Sequence, residues 1–221
     1  MRDFTKKTME KQTININGIE AEITKETAEL FDYCKTFADT VIPIKYSTEI
    51  MVEYFNLIYM REVRDYFSGK VITKSNLTHH SANTFLRTCQ LLDFLCEFET
   101  ENRHDGVMRD KNGRIMLCAE WEMDEKTIFS VDGEINKLLK TCKKNECEAF
   151  LFTYNARINP KEFINKAYNQ WNSQIAEGEY FRLFLVTAIF DDSEKSSVKY
   201  LKGLRTFVIR KGTIDIWEDL L

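Results

Sequence analysis

Hydrophobic positions along the chain change period from one stretch to the next. Thr13 to Ile23 alternates apolar and polar residues on either side of Asn17-Gly18, the pattern of a hairpin closed by a two-residue turn. Thr24 then caps a predicted helix to about Thr40, with Ala28, Leu30, Phe31, Cys34 and Phe37 apolar, and Pro43 interrupts it. Ser47 starts a longer helix through Tyr66, ended near Gly69, whose Ile50, Met51, Tyr54, Phe55, Ile58 and Val63 form a wide apolar stripe. Ser81 opens a third, in which Phe85, Leu86, Cys89, Leu92 and Leu95 recur at helical spacing.

Short strands follow. Cys96 to Thr100 alternates, Arg103 to Arg109 reads as a strand, and Asp110-Lys111-Asn112-Gly113 reads as a turn. Arg114 to Met123 is nearly continuous apolar sequence until two glutamates, as in a central strand covered on both faces. Asp132 is placed to cap a helix with Ile135, Leu138, Leu139 and Cys142 on one face. Glu148 to Tyr154 reads as a buried strand, and a helix with Pro160 in its first turn carries Phe163, Ile164, Ala167, Tyr168 and Trp171. Tyr180 to Phe190, Tyr200 to Ile209 and Thr213 to Trp217 complete the strands, the last two joined around Lys211-Gly212. The expectation is an α/β (α+β) fold: residues 1–75 form a mostly helical extension, and 76–221 a mixed central sheet flanked by helices.

Composition narrows the function. The 221 residues include 8 Gly and 2 Pro, with no P-loop or dinucleotide glycine fingerprint and no G-x-S-x-G nucleophile turn. No apolar run approaches a membrane span and the first twelve residues are charged, so the expected location is cytoplasmic. The six cysteines read as small buried hydrophobes of a reducing compartment, and Cys142 and Cys147 are too sparse for zinc without partners nearby. A net charge of −4 means that nucleic acid can be held only by a local basic surface.

Three carboxylates stand out. Glu120 and Glu122 lie one pleat apart, and such a pair repels unless solvated, protonated or bridged by a cation. Counting outward from the turn, Asp105 falls about level with Glu120 on the preceding strand, where one ion could reach both. Mg²⁺ takes one or two carboxylates with waters and phosphate oxygens. The plain alternative is a strand end emerging into water, with Asp105-Gly106 as a turn pair.

A hairpin bearing His104-Asp105-Gly106, an apolar second strand ending Glu120-Trp121-Glu122, a capped helix and a buried strand resemble the PD-(D/E)XK nuclease superfamily, the restriction-endonuclease-like fold, over about residues 81–155. His104 stands where that family has proline, and Glu122 where it has lysine. In other members the lysine moves to the following helix, where Lys137 is the counterpart. The resemblance implies a metal-dependent phosphodiester hydrolase. Asp105, Glu120 and the Trp121 carbonyl would hold Mg²⁺ or Mn²⁺, with Glu122 orienting water or holding a second ion. It also implies a nucleic-acid partner, DNA in particular, met by Arg103, His104 and a basic terminal segment including Lys199, Lys202 and Arg205. An inactive nuclease-like binding module is the other reading, and a homodimer through the N-terminal helices is left open.

Overall fold

A computed structural model of the chain describes residues 11–16, 19–24, 44–67, 73–154, 160–190 and 201–220. Residues 25–40, where the sequence predicts a helix after a Thr24 cap, and Lys199 lie outside these residues, and Thr24 itself is in a strand. By its contacts the chain divides into units 1–46 and 47–221. In the first, β1 (Lys11–Ile16) and β2 (Ile19–Thr24) pair antiparallel with Ile16 opposite Ile19, the register a two-residue turn imposes.

The second unit is mixed α+β. Its seven-stranded sheet runs in chain order: β3 (Leu95–Glu97), β4 (Gly106–Arg109), β5 (Ile115–Trp121), β6 (Glu148–Thr153), β7 (Leu183–Phe190), β8 (Leu201–Arg210) and β9 (Thr213–Leu220). The pairs β5–β6 and β6–β7 are parallel and the rest antiparallel. Parallel neighbours need crossovers, and these are helical: α3 (Glu125–Phe129) with α4 (Glu134–Asn145), then α5 (Pro160–Gln174). Before the sheet come α1 (Ile44–Phe67) and α2 (Lys74–Leu91).

Two cores sandwich the sheet. Met51, Phe55 and Tyr59 of α1 and Phe85 of α2 pack with Leu117, Phe150, Phe152 and Phe184; Leu138 and Leu139 of α4 and Phe163 and Trp171 of α5 pack with Cys118, Leu151 and Leu185. All seven residues of β5 are buried, which explains its unbroken apolar sequence. Among the described residues no helix is long and apolar enough to cross a membrane.

Several boundaries differ from the periodicity. Helix α2 begins eight residues or so before Ser81, at the Thr73 cap, whose hydroxyl accepts from the Asn76 amide; Ser81 sits mid-helix, bonded to the Leu77 carbonyl. Its first two turns are polar, so a hydrophobic count misses them. Helix α4 is capped by Gly133 rather than Asp132, with no side-chain cap bond. A Cβ on Gly133 would stand 2.3 Å from the Thr127 carbonyl oxygen, so the crowded α3–α4 junction admits only glycine.

Candidate active site

The Arg103–Arg109 stretch is not one strand. Glu101, Asn102 and Arg103 are all left-handed, with φ of 47, 74 and 60°, in a tight turn closed by the His104 amide on the Thr100 carbonyl at 2.9 Å. Each such non-glycine residue costs about 1 kcal/mol or more. Arg109 holds the turn, reaching Glu97 Oε2 at 2.9 Å and Glu101 Oε1 at 2.8 Å. Strand β4 then starts at Gly106, where a Cβ would lie 2.9 Å from the Phe85 ring and 3.1 Å from Trp121. Asp105-Gly106 is therefore a strand entry, its glycine required by two aromatic rings.

The β4–β5 ladder pairs Gly106 with Ala119, which sets Asp105 opposite Glu120. Asp105 Oδ2 accepts the Trp121 amide at 2.9 Å. Trp121 itself turns its indole to the other core, against Phe85 and Phe98. Glu120 points toward α4 with only 2% exposure. There Lys137 Nζ lies 2.7 Å from Glu120 Oε1 and 3.1 Å from Glu134 Oε2. Glu134, Lys137 and Thr141 share one helix face at i, i+3 and i+7.

His104 completes the cluster from below, wholly buried, with Nδ1 2.5 Å from Glu120 Oε1 and Nε2 2.7 Å from Thr141 Oγ1. Burial, then the Lys137 charge, push its pKa down to about 4, so the contact is a hydrogen bond of a neutral ring rather than an ion pair. With Glu120 ionised, Nδ1–H donates to it and Nε2 accepts from the Thr141 hydroxyl. A buried ring has no face for a phosphate, so His104 orients Glu120 instead of touching nucleic acid.

Charge in the cluster is unbalanced. Burial pushes the Glu120 carboxyl up to about 9, with Glu134 and Asp105 adding to the effect and Lys137 opposing it. Asp105 is raised too, chiefly by burial, against the Trp121 amide and Lys137. Glu134 Oε2 is buried against the same Lys137 Nζ, 3.1 Å away. Asp105, Glu120 and Glu134 thus face one lysine; raised to about 9, Glu120 keeps its proton at neutral pH, and a divalent cation would take that proton's place. Asp105 and Glu120 offer hard oxygen donors of the kind Mg²⁺ or Mn²⁺ takes, one or two carboxylates being enough where waters complete the shell.

Glu122 belongs to a different set. It lies past the end of β5, where its Oε1 takes Lys74 Nζ at 2.8 Å and the amides of Met123 and Asp124 at 2.6 and 2.9 Å. Burial works against its ionisation, but these partners outweigh it and hold the carboxyl below its usual range. Of the basic terminal segment, Lys202 is exposed and Arg205 half-buried on β8, and Lys199 lies outside the described residues. Beside the site, a cavity of about 270 Å³ is lined by Glu101, Asn102, Lys140, Thr141, Lys144 and Asn145. Glu134 and Thr141 were not anticipated from the sequence, although the i, i+3, i+7 spacing with Lys137 was there to be read.

No family model, no curated protein and no solved structure matches the chain.

Proposed function

We propose that this protein is a metal-dependent phosphodiester hydrolase acting on nucleic acid, along lines that resemble the PD-(D/E)XK nucleases. One observation carries the reading: Lys137, on the crossover helix, meets Glu120 at 2.7 Å, with Asp105 opposite Glu120 on the paired strand. The chain order of hairpin β4–β5, helix α4 and parallel strand β6 supports it.

Asp105 and Glu120 would hold the ion. The chemistry such an ion would supply there is polarisation of the scissile phosphate and activation of water. Lys137 places its ammonium beside that position to orient the attacking water and offset developing negative charge. His104 and Thr141 fix the Glu120 carboxylate, so the ligand does not reorganise when substrate arrives. Exposed Lys140 and Lys144, with Arg103 from the left-handed turn, offer phosphate contacts next to the site.

The competing reading is an inactive binding module. It is favoured by Lys137 bridging Glu120 and Glu134, which partly neutralises the cluster without an ion.

The test is incubation with supercoiled plasmid, single-stranded DNA and RNA in Mg²⁺ or Mn²⁺, then in EDTA. The expected result is metal-dependent cleavage that Glu120→Gln abolishes and Lys137→Met lowers roughly 100-fold, with circular dichroism unchanged. Cleavage indifferent to Glu120→Gln, or none on any substrate with either ion, overturns the hydrolase.

A further inference from the structure

One pleat behind Glu120 on the same face of β5 lies a cluster that carboxylate chemistry does not use. Cys118 from β5, Cys142 from the last turn of α4 and Cys147 just before β6 bring their Sγ atoms within 4.8 Å of one another. Cys118 and Cys142 stand 3.9 Å apart. Among the described residues no other set of three His, Cys, Asp or Glu side chains converges so closely. All three cysteines are buried, at 3% exposure or less.

Helical periodicity does not create this triangle, because Cys147 lies beyond the helix. Glu146, left-handed at φ 53°, ends α4 and turns the chain back under its last turn. A non-glycine residue in that conformation costs about 1 kcal/mol, and the turn it makes delivers the third sulfur. The Cys118–Cys142 separation already suits an ion, since three sulfurs about 2.3 Å from a common metal stand roughly 3.8–4.0 Å apart in tetrahedral or trigonal geometry, and Cys147 closes the triangle within 4.8 Å. The thiols' other partners are weak, backbone carbonyls of Leu138, Glu148 and Thr141 at 4.0, 3.6 and 4.0 Å.

We propose that Cys118, Cys142 and Cys147 form a three-thiolate site for one thiophilic d¹⁰ ion, Zn²⁺ or Cu⁺, that fastens α4 to β5 and β6. Sulfur selects such ions and rejects Mg²⁺, so the site is chemically separate from the carboxylates. Binding involves no change of oxidation state; three sulfur–metal bonds form and the three S–H protons pass to solvent. The ion's role is positional. Helix α4 carries Lys137 and Thr141 and β5 carries Glu120, so a clamp between Cys118 and Cys142 sets the separation across which lysine meets glutamate.

The experiment is anaerobic titration of the reduced, metal-stripped full chain with Cd²⁺ and Cu⁺ as optical probes, and with Zn²⁺ in competition. One equivalent of either probe should produce a sulfur-to-metal charge-transfer band, unaffected by millimolar Mg²⁺, with the Cd²⁺ band lowered only by a large excess of Zn²⁺ because the softer ion binds thiolate more tightly. Zn²⁺ or Cu⁺ should raise the melting temperature by mass action. Cys142→Ala should lose the band, whereas Cys89→Ser, altering a thiol elsewhere, should keep it. Absence of the band at one equivalent in the unaltered protein overturns the site, so the result does not depend on any variant folding. A band that persists in a folded Cys142→Ala protein also overturns it. Neither outcome bears on nucleic-acid cleavage, which is read separately with Mg²⁺ or Mn²⁺.

Discussion

His80 illustrates how a residue's surroundings set its chemistry. It is 1% exposed in α2, its ring against Tyr59 at 4.3 Å between centroids and Nε2 3.4 Å from the Tyr59 carbonyl. Burial lowers its pKa from 6.5; the Tyr59 carbonyl and Glu62 oppose the shift and Arg87 adds to it. Below about 6.5 the unfolded chain takes up a proton that the folded chain resists, so this contribution to stability is present at neutral pH and lost as pH falls. In His80→Gln, the denaturation free energy measured from pH 8 to 5 should fall less steeply than in the parent. Parallel curves would show that His80 titrates alike in both states. The catalytic proposal rests on the same principle: Glu120 is exceptional not as a glutamate but as one held at 2% exposure between an imidazole and an ammonium.

At the scale of elements, α4 matters most. Its buried Ile135, Leu138, Leu139 and Cys142 follow from the apolar period, but its placement depends on Gly133. Gly133→Ala should destabilise the protein by roughly 2 kcal/mol or more, since the clash is with backbone carbonyls that cannot rotate away. A chemical denaturation midpoint measures the loss, and a change within about 0.5 kcal/mol would mean that the junction relaxes freely. Strand β5 was legible because burial on both faces leaves a long apolar signature. The Glu101–Arg103 turn was not, because three consecutive left-handed residues without glycine have no local sequence signal; Arg109 imposes them from β4.

Across the whole second unit, Arg182 ties layers together. At 4% exposure it meets Glu148 at the start of β6, with Nη2–Oε2 at 2.8 Å, and Thr48 of α1 at 3.2 Å, and it also pairs with Glu49. Its guanidinium lies 5.0 Å over the Phe184 ring. Arg182→Met leaves Glu148 and Glu49 without their shared cation and should cost about 3–5 kcal/mol, the usual loss on breaking a buried pair from one side. Urea denaturation reads this directly, and a loss below about 1 kcal/mol would place the network in effective contact with water.

The sequence alone determined the order of the strands and of the longer helices of the second unit, the Asn17-Gly18 hairpin register and the face on which Cys118 and Glu120 sit, because these follow from local period and turn chemistry; the short α3 has no such signal. Counting from the turn brought Asp105 only roughly level with Glu120; the pairing itself is set by a one-residue irregularity between Met108 and Arg109, where Met108 pairs with Leu117 although Arg109 pairs with Ile115. Tertiary structure alone decided that Lys137 reaches Glu120, that Glu122 turns to Lys74, and that His104 is an internal support. It also decided that three cysteines from separate segments share one point. Those outcomes depend on how a crossover helix packs against a sheet, and neither the lysine nor the thiols carry that angle in their neighbouring residues.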